Sequence, residues 1–122
     1  MKRAQFERVV EEALAALPEE IARHLENVVV AVQDRPARSQ LEEQGIEDPL
    51  GLYGLYEGTP LTGRSILESG AMPDQITIFQ RPLEADFPSR EELLLEIQKT
   101  VAHEIAHLFG IDETRLDELG LG

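Results

Sequence analysis

The sequence contains no cysteine and no tryptophan, and aromatic residues make up only 5% of it. Without thiols, neither a disulfide framework nor a thiolate metal site can form. Any metal must therefore be held by imidazole and carboxylate groups. Basic residues are also scarce, with 11 Lys and Arg against 24 Asp and Glu and a formal net charge of −13. An acidic surface repels phosphate backbones, so nucleic acid is not an expected partner, and the charge serves solubility. No apolar run approaches the length needed to cross a bilayer, so no membrane partner is expected either. Met1-Lys2-Arg3 imitates the basic end of a signal peptide, but Glu7, Glu11 and Glu12 interrupt any apolar stretch behind it. A cytoplasmic location is the default expectation. Histidine is the last scarcity, with three in the chain.

What is present reads as one globular domain over residues 1–122, long enough for a single hydrophobic core. Phe6, Val9, Val10, Ala13, Leu14 and Leu17 recur at helical spacing, which predicts an amphipathic helix. Pro18 breaks it, and Glu19-Glu20-Ile21 begins a second short helix. Asn27 to Gln33 is β-branched and almost continuously apolar, as a well-buried strand would be. Asp34 to Asp48 is polar, with at most one helical turn around Leu41. Gly51 to Glu57 predicts an edge strand, where Gly54 is better tolerated. Thr59 to Pro73 predicts a loop with a helical turn at Ile66-Leu67, and Gln75 to Gln80 a further strand closed by Arg81-Pro82.

The last third carries the clearest signals. Ser89 and Glu92 form a capping box for a helix that should run to Phe109 and stop at Gly110, a residue suited to the left-handed position after a helix. Leu94, Ile97, Val101, Ile105 and Leu108 form its apolar stripe, and Glu96, Thr100, His103 and His107 fall almost opposite, as the floor of a cleft would. Leu93, Leu95, Ala102, Ala106 and Phe109 flank both faces, which predicts a helix covered on most sides. A final short helix follows near Thr114 to Leu119.

His103-Glu104-Ile105-Ala106-His107 is the chemistry-bearing segment. Residues four apart share one helix face, so both imidazoles can reach one zinc ion at about 2.0 Å per bond. Glu104 is turned roughly 100° from His103. From there it can accept the proton of a water at the metal and pass it to a leaving amine. A short motif of this kind also arises by chance. Here it holds two of the three histidines, on a capped helix that ends at a glycine three residues later. His24 is an ordinary, partly exposed residue. A third protein ligand is needed if water is to take the fourth position. Glu113 lies ten residues after His103, where the extended H-E-x-x-H-x-x-G-x-x-H pattern places its third histidine. Glu113 is assigned as ligand and Asp112 as cap of the terminal helix, although on sequence alone the two could exchange roles.

HEIAHLFG with its following carboxylates resembles the minimal zincins, a family of small bacterial zincin-like metallopeptidases. The resemblance extends to NVVVAVQD, LGLYEGTPLT and PDQITIFQRPLE, in that order, and covers about Phe6 to Leu119. It implies an α+β fold with a small mixed sheet beside a central active-site helix. It also implies one zinc ion on the two motif histidines and a carboxylate past the glycine. Relatives commonly carry Asp where this chain has Glu113. Met72 precedes the motif, whereas a metzincin's Met-turn would follow it.

The expected function is a zinc-dependent metallopeptidase acting on a peptide or protein substrate, with Glu104 as general base. Tyr53, Tyr56 and Arg64 are oxyanion-stabilising candidates by type only, the tyrosines being read first as strand packing. The alternative is a non-catalytic zinc-binding protein that docks a partner through its exposed edge strand.

Overall fold

The computed structural model of the chain describes residues 1–58 and 74–122. The expected loop and turn between Thr59 and Pro73, and with them Arg64, lie outside the described residues. Helix α1 (Arg3–Ala15) is followed by the short α2 (Glu19–Ala22) and a 3-10 turn, Arg23–Leu25. Then come β1 (Val28–Gln33), α3 (Arg38–Glu43), β2 (Gly54–Glu57), β3 (Asp74–Phe79) and α4 (Gln80–Asp86). The long α5 (Arg90–Phe109) and the short α6 (Glu113–Glu118) complete the order. The architecture is α+β, with a three-stranded mixed sheet in the order β1-β3-β2 among the described residues. β1 runs parallel to β3 and β2 antiparallel to it.

α5 organises the core. Its apolar face, Leu93, Ile97, Val101 and Ile105, meets Phe6, Val9, Val10 and Ala13 of α1 together with Ile76 and Ile78 of β3. Between α1 and α5, the buried Gln98 donates through Nε2 to the Ala13 carbonyl at 3.0 Å, so the one amide in that contact is satisfied. At the start of α5, the Ser89 hydroxyl accepts from the Glu92 amide at 3.2 Å, the half of the expected capping box that forms. The helix ends as expected at Gly110, with φ +74°, and the Ile111 amide closes back on the Ala106 carbonyl at 2.9 Å.

Four expectations need correction. The covered stripe of α5 is rotated toward Leu93, Ala102 and Ala106, so that Leu94 is half-buried and Leu108 exposed. Nor is the helix covered on most sides, since Leu95 and the last turn, His107 to Phe109, are exposed. β1 is not well buried: it forms one edge of the sheet, Val29 is 45% exposed, and the central, covered strand is β3. Apolar composition alone does not tell which strand of a small sheet takes the middle. Finally, Arg81-Pro82 does not end an element. The chain passes from β3 directly into α4, where Pro82 sits in the first turn, and an amide there has no intrahelical acceptor to lose.

Candidate active site

The polar face of α5 floors a cleft of about 480 Å³. Glu96, Lys99, Thr100, His103 and Glu104 line one side, and Gly51 to Gly54, leading into β2, line the other. The expected cleft floor is thus present over Glu96, Thr100 and His103. His107, one turn further on, is exposed at the end of the helix.

Gly54 decides how close the two walls come. A Cβ at this position would lie 2.4 Å from Thr100 Cγ2, so only glycine lets the strand backbone rest on the helix there. Tolerance of glycine at a sheet edge accounts for Gly54 only in part. The same residue is also the signal of a close backbone approach, and that is the meaning the structure supports.

The His103 ring is held at Nε2. The Leu121 carbonyl accepts from Nε2 at 3.1 Å. Because a carbonyl can only accept, this contact assigns the ring proton to Nε2 and leaves the Nδ1 lone pair free. On that side stands Glu113, whose Oε1 is 3.7 Å from Nδ1. Both contacts come from α6 and the turn behind it. Gly120 takes φ +76° and the Leu121 amide closes on the Leu116 carbonyl at 2.8 Å, which buries the Leu121 side chain and points its carbonyl at the ring. No sequence signal could have found Leu121, since its contribution is a main-chain oxygen.

Asp112 is the cap of α6: its Oδ1 accepts from the Arg115 amide at 2.9 Å. Glu113 is the first helical residue, exposed, with its carboxylate beside His103. Arg115 in turn anchors α6 to α2 through a forked pairing with Glu20, at 2.6 to 3.0 Å. His24 is half-buried, with its ring stacked on Phe109 at 4.1 Å.

Glu104 is half-buried. Burial pushes its carboxyl above the ordinary range, while His107, the main-chain amide of Tyr56 and His103 pull in the opposite direction. The two tyrosine hydroxyls are already engaged. Tyr53 bonds to Asp86, and Tyr56 is paired with Asp74; both phenols are pushed up to about 12, the first chiefly by that bond and the second chiefly by burial. Packing, the first reading of these residues, accounts for them: Tyr53 also meets Phe87 edge-on at 5.6 Å.

Among the described residues no three His, Asp or Glu side chains converge on one point as a ready-made metal cluster. The donor set nonetheless suits zinc in kind. Two imidazoles lie one turn apart on α5, and the free Nδ1 of His103 is close enough to Glu113 for both to contact an ion at about 2.0–2.2 Å from each. His107 and Glu113 are exposed and free to turn toward such an ion. Among the described residues no helix is long and apolar enough to cross a membrane.

A comparison with curated proteins finds no match. The sequence model of zincin-like metallopeptidases matches residues 25–122, from the 3-10 turn before β1 through the turn behind α6, and the chain belongs to that family.

Proposed function

We propose that the protein is a zinc-dependent peptidase, with His103, His107 and Glu113 holding one zinc ion and Glu104 acting as general base. The observation that carries this reading is the position of Glu104. It is a half-buried carboxylate, adjacent to the motif histidines, on the wall of an open cleft. When bound, zinc would supply the charge that polarises a water and the substrate carbonyl. Glu104 takes the proton of that water and returns it to the leaving amine. A carboxyl pushed upward by burial suits both halves of that exchange better than an ordinary surface glutamate. The substrate's main chain lies along β2 as an added strand, an arrangement open to extended peptides of varied sequence. His103 is kept in register by the Leu121 carbonyl, the kind of outer contact that fixes tautomer and ring orientation in metal sites.

The test compares wild type with Glu104→Gln, both loaded with zinc, on a peptide library. Wild type should cleave, and the variant should lose about 10²- to 10⁴-fold in rate while keeping its zinc. Equal cleavage by both would remove Glu104 from the mechanism. Absence of cleavage by either, with zinc retained, would favour the docking alternative.

A further inference from the structure

β2 is one edge of the sheet, and β1 is the other. The Phe79 amide donates to the Tyr53 carbonyl at 2.9 Å, so the odd-numbered residues of β3 turn their main-chain groups toward β2. The even-numbered ones face β1. In the parallel register that sets Val32 beside Ile78, they bond to Val29, Ala31 and Gln33. The main-chain groups of Val28, Val30 and Val32 are left pointing away from the sheet. Arg3 confirms that direction, because it reaches from the start of α1 and donates through Nη1 to the Val32 carbonyl at 3.2 Å. Among the described residues nothing pairs with the Val30 amide and carbonyl, and no strand lies on the outer side of β1.

Open edges are commonly blunted by a charge, a proline or a bulge. β1 has none of these: Val28 to Val32 are all apolar and the register with β3 is unbroken. Arg3 covers one carbonyl only. Beside this edge, α1 and β1 flank a groove of about 290 Å³. Val10, Leu14, Val30 and Val32 line it, and the exposed Glu7 and Glu11 stand along it. These two carboxylates are four apart, one turn after the other on a single helix face. Glu12 is paired with Arg90, whereas neither Glu7 nor Glu11 enters an ion pair among the described residues. The other face of β1 carries the exposed Val29.

We propose that this edge docks a basic extended segment of another protein, added to the sheet as a strand beside β1. Its main chain takes up the outward groups of Val28 and Val30. Lys or Arg at alternate positions lays its aliphatic stem over Val10 and Leu14 and brings its charge to Glu7 and Glu11. The spacings agree, since alternate strand residues lie about 6.8 Å apart and helix residues four apart rise about 6.0 Å. The intervening side chains fall beside Val29, where apolar ones gain burial. A second copy of this chain fits worse. Its β1 offers no Lys or Arg to Glu7 and Glu11, and each copy carries a net charge of −13. The site is on the edge opposite β2 and needs neither a metal nor Glu104.

The probe is a synthetic peptide alternating Lys and Val, long enough to span β1, with a Glu-Val counterpart as control. Amide hydrogen exchange is followed in full-length, zinc-loaded Glu104→Gln, so that the probe is not consumed. The Lys-Val peptide should slow exchange of the Val30 amide about tenfold or more, as a new main-chain hydrogen bond does. Ala31, already facing β3, should not change, and the Glu-Val peptide should have no effect. Adding Glu7→Lys and Glu11→Lys alters exposed positions only. It should weaken the Lys-Val peptide about tenfold or more and let the Glu-Val peptide bind instead. Equal effects of the two peptides, or indifference to the charge reversal, would overturn the proposal. So would unchanged exchange at Val30 or slowing on β2 in its place. Slowing of Val30 that grows with protein concentration, without peptide, would make a second copy the occupant and overturn it as well.

Discussion

The two faces of α5 are built to different rules. On one, Leu93, Ile97, Val101 and Ile105 are at most 2% exposed and packed against α1 and β3. On the other, Glu96, Thr100, His103 and Glu104 line an open cleft, and the groups beside the His103 ring, Leu121 and Glu113, come from outside the helix. One helix thus carries stability on one side and chemistry on the other. Substitutions should separate the two, because residues on opposite faces share few neighbours.

The sharpest separation is expected from Ile97→Ala. This deletes a fully buried side chain at the centre of the core and should cost about 2–5 kcal/mol in denaturant unfolding. Zinc affinity, measured below the unfolding transition, should not move. Leu108→Ala, on the same helix but exposed, should stay within about 0.5 kcal/mol of wild type. A large loss at Leu108 would mean that the apolar stripe reaches the last turn after all.

The next comparison falls within α6. Asp112→Ala removes a cap and should cost about 1 kcal/mol of stability while zinc is still held. Glu113→Ala should do the reverse, weakening zinc with little change in unfolding. Exchange of these outcomes would exchange the two roles.

The smallest effect is one of pH. The Arg115 guanidinium holds the Glu20 carboxyl below its ordinary value of 4.5. A carboxyl lowered on folding contributes stability that is fully present above the unfolded value and is lost as pH falls through the folded one. Acid unfolding below about pH 4.5 should therefore lose a small increment in wild type that Glu20→Gln lacks. Both side chains are solvated and salt will weaken the effect, so the comparison belongs at low ionic strength.

Much of this was legible in the sequence, and unevenly. The motif helix, its Ser89 start, its Gly110 stop and the capping role of Asp112 all depend on local chemistry, which neighbouring residues announce. The cleft face of Glu96, Thr100 and His103 followed from helical periodicity. What was not legible depends on tertiary neighbours. Five apolar residues in β1 look buried until β3 takes the centre of the sheet. Pro82 looks like a terminator unless the helix begins two residues before it. The contact of Leu121 with the His103 ring uses a main-chain oxygen, which every residue type supplies alike. Gly54 stands between these cases, since its type carried the signal and only the structure shows what it approaches.

The account rests on a metal at the polar face of α5, and metal content tests that most directly. After zinc loading and extensive dialysis, wild type should retain one zinc per chain, and His103→Ala and His107→Ala should retain essentially none while folding normally. Equal and negligible zinc in all three proteins would contradict the account.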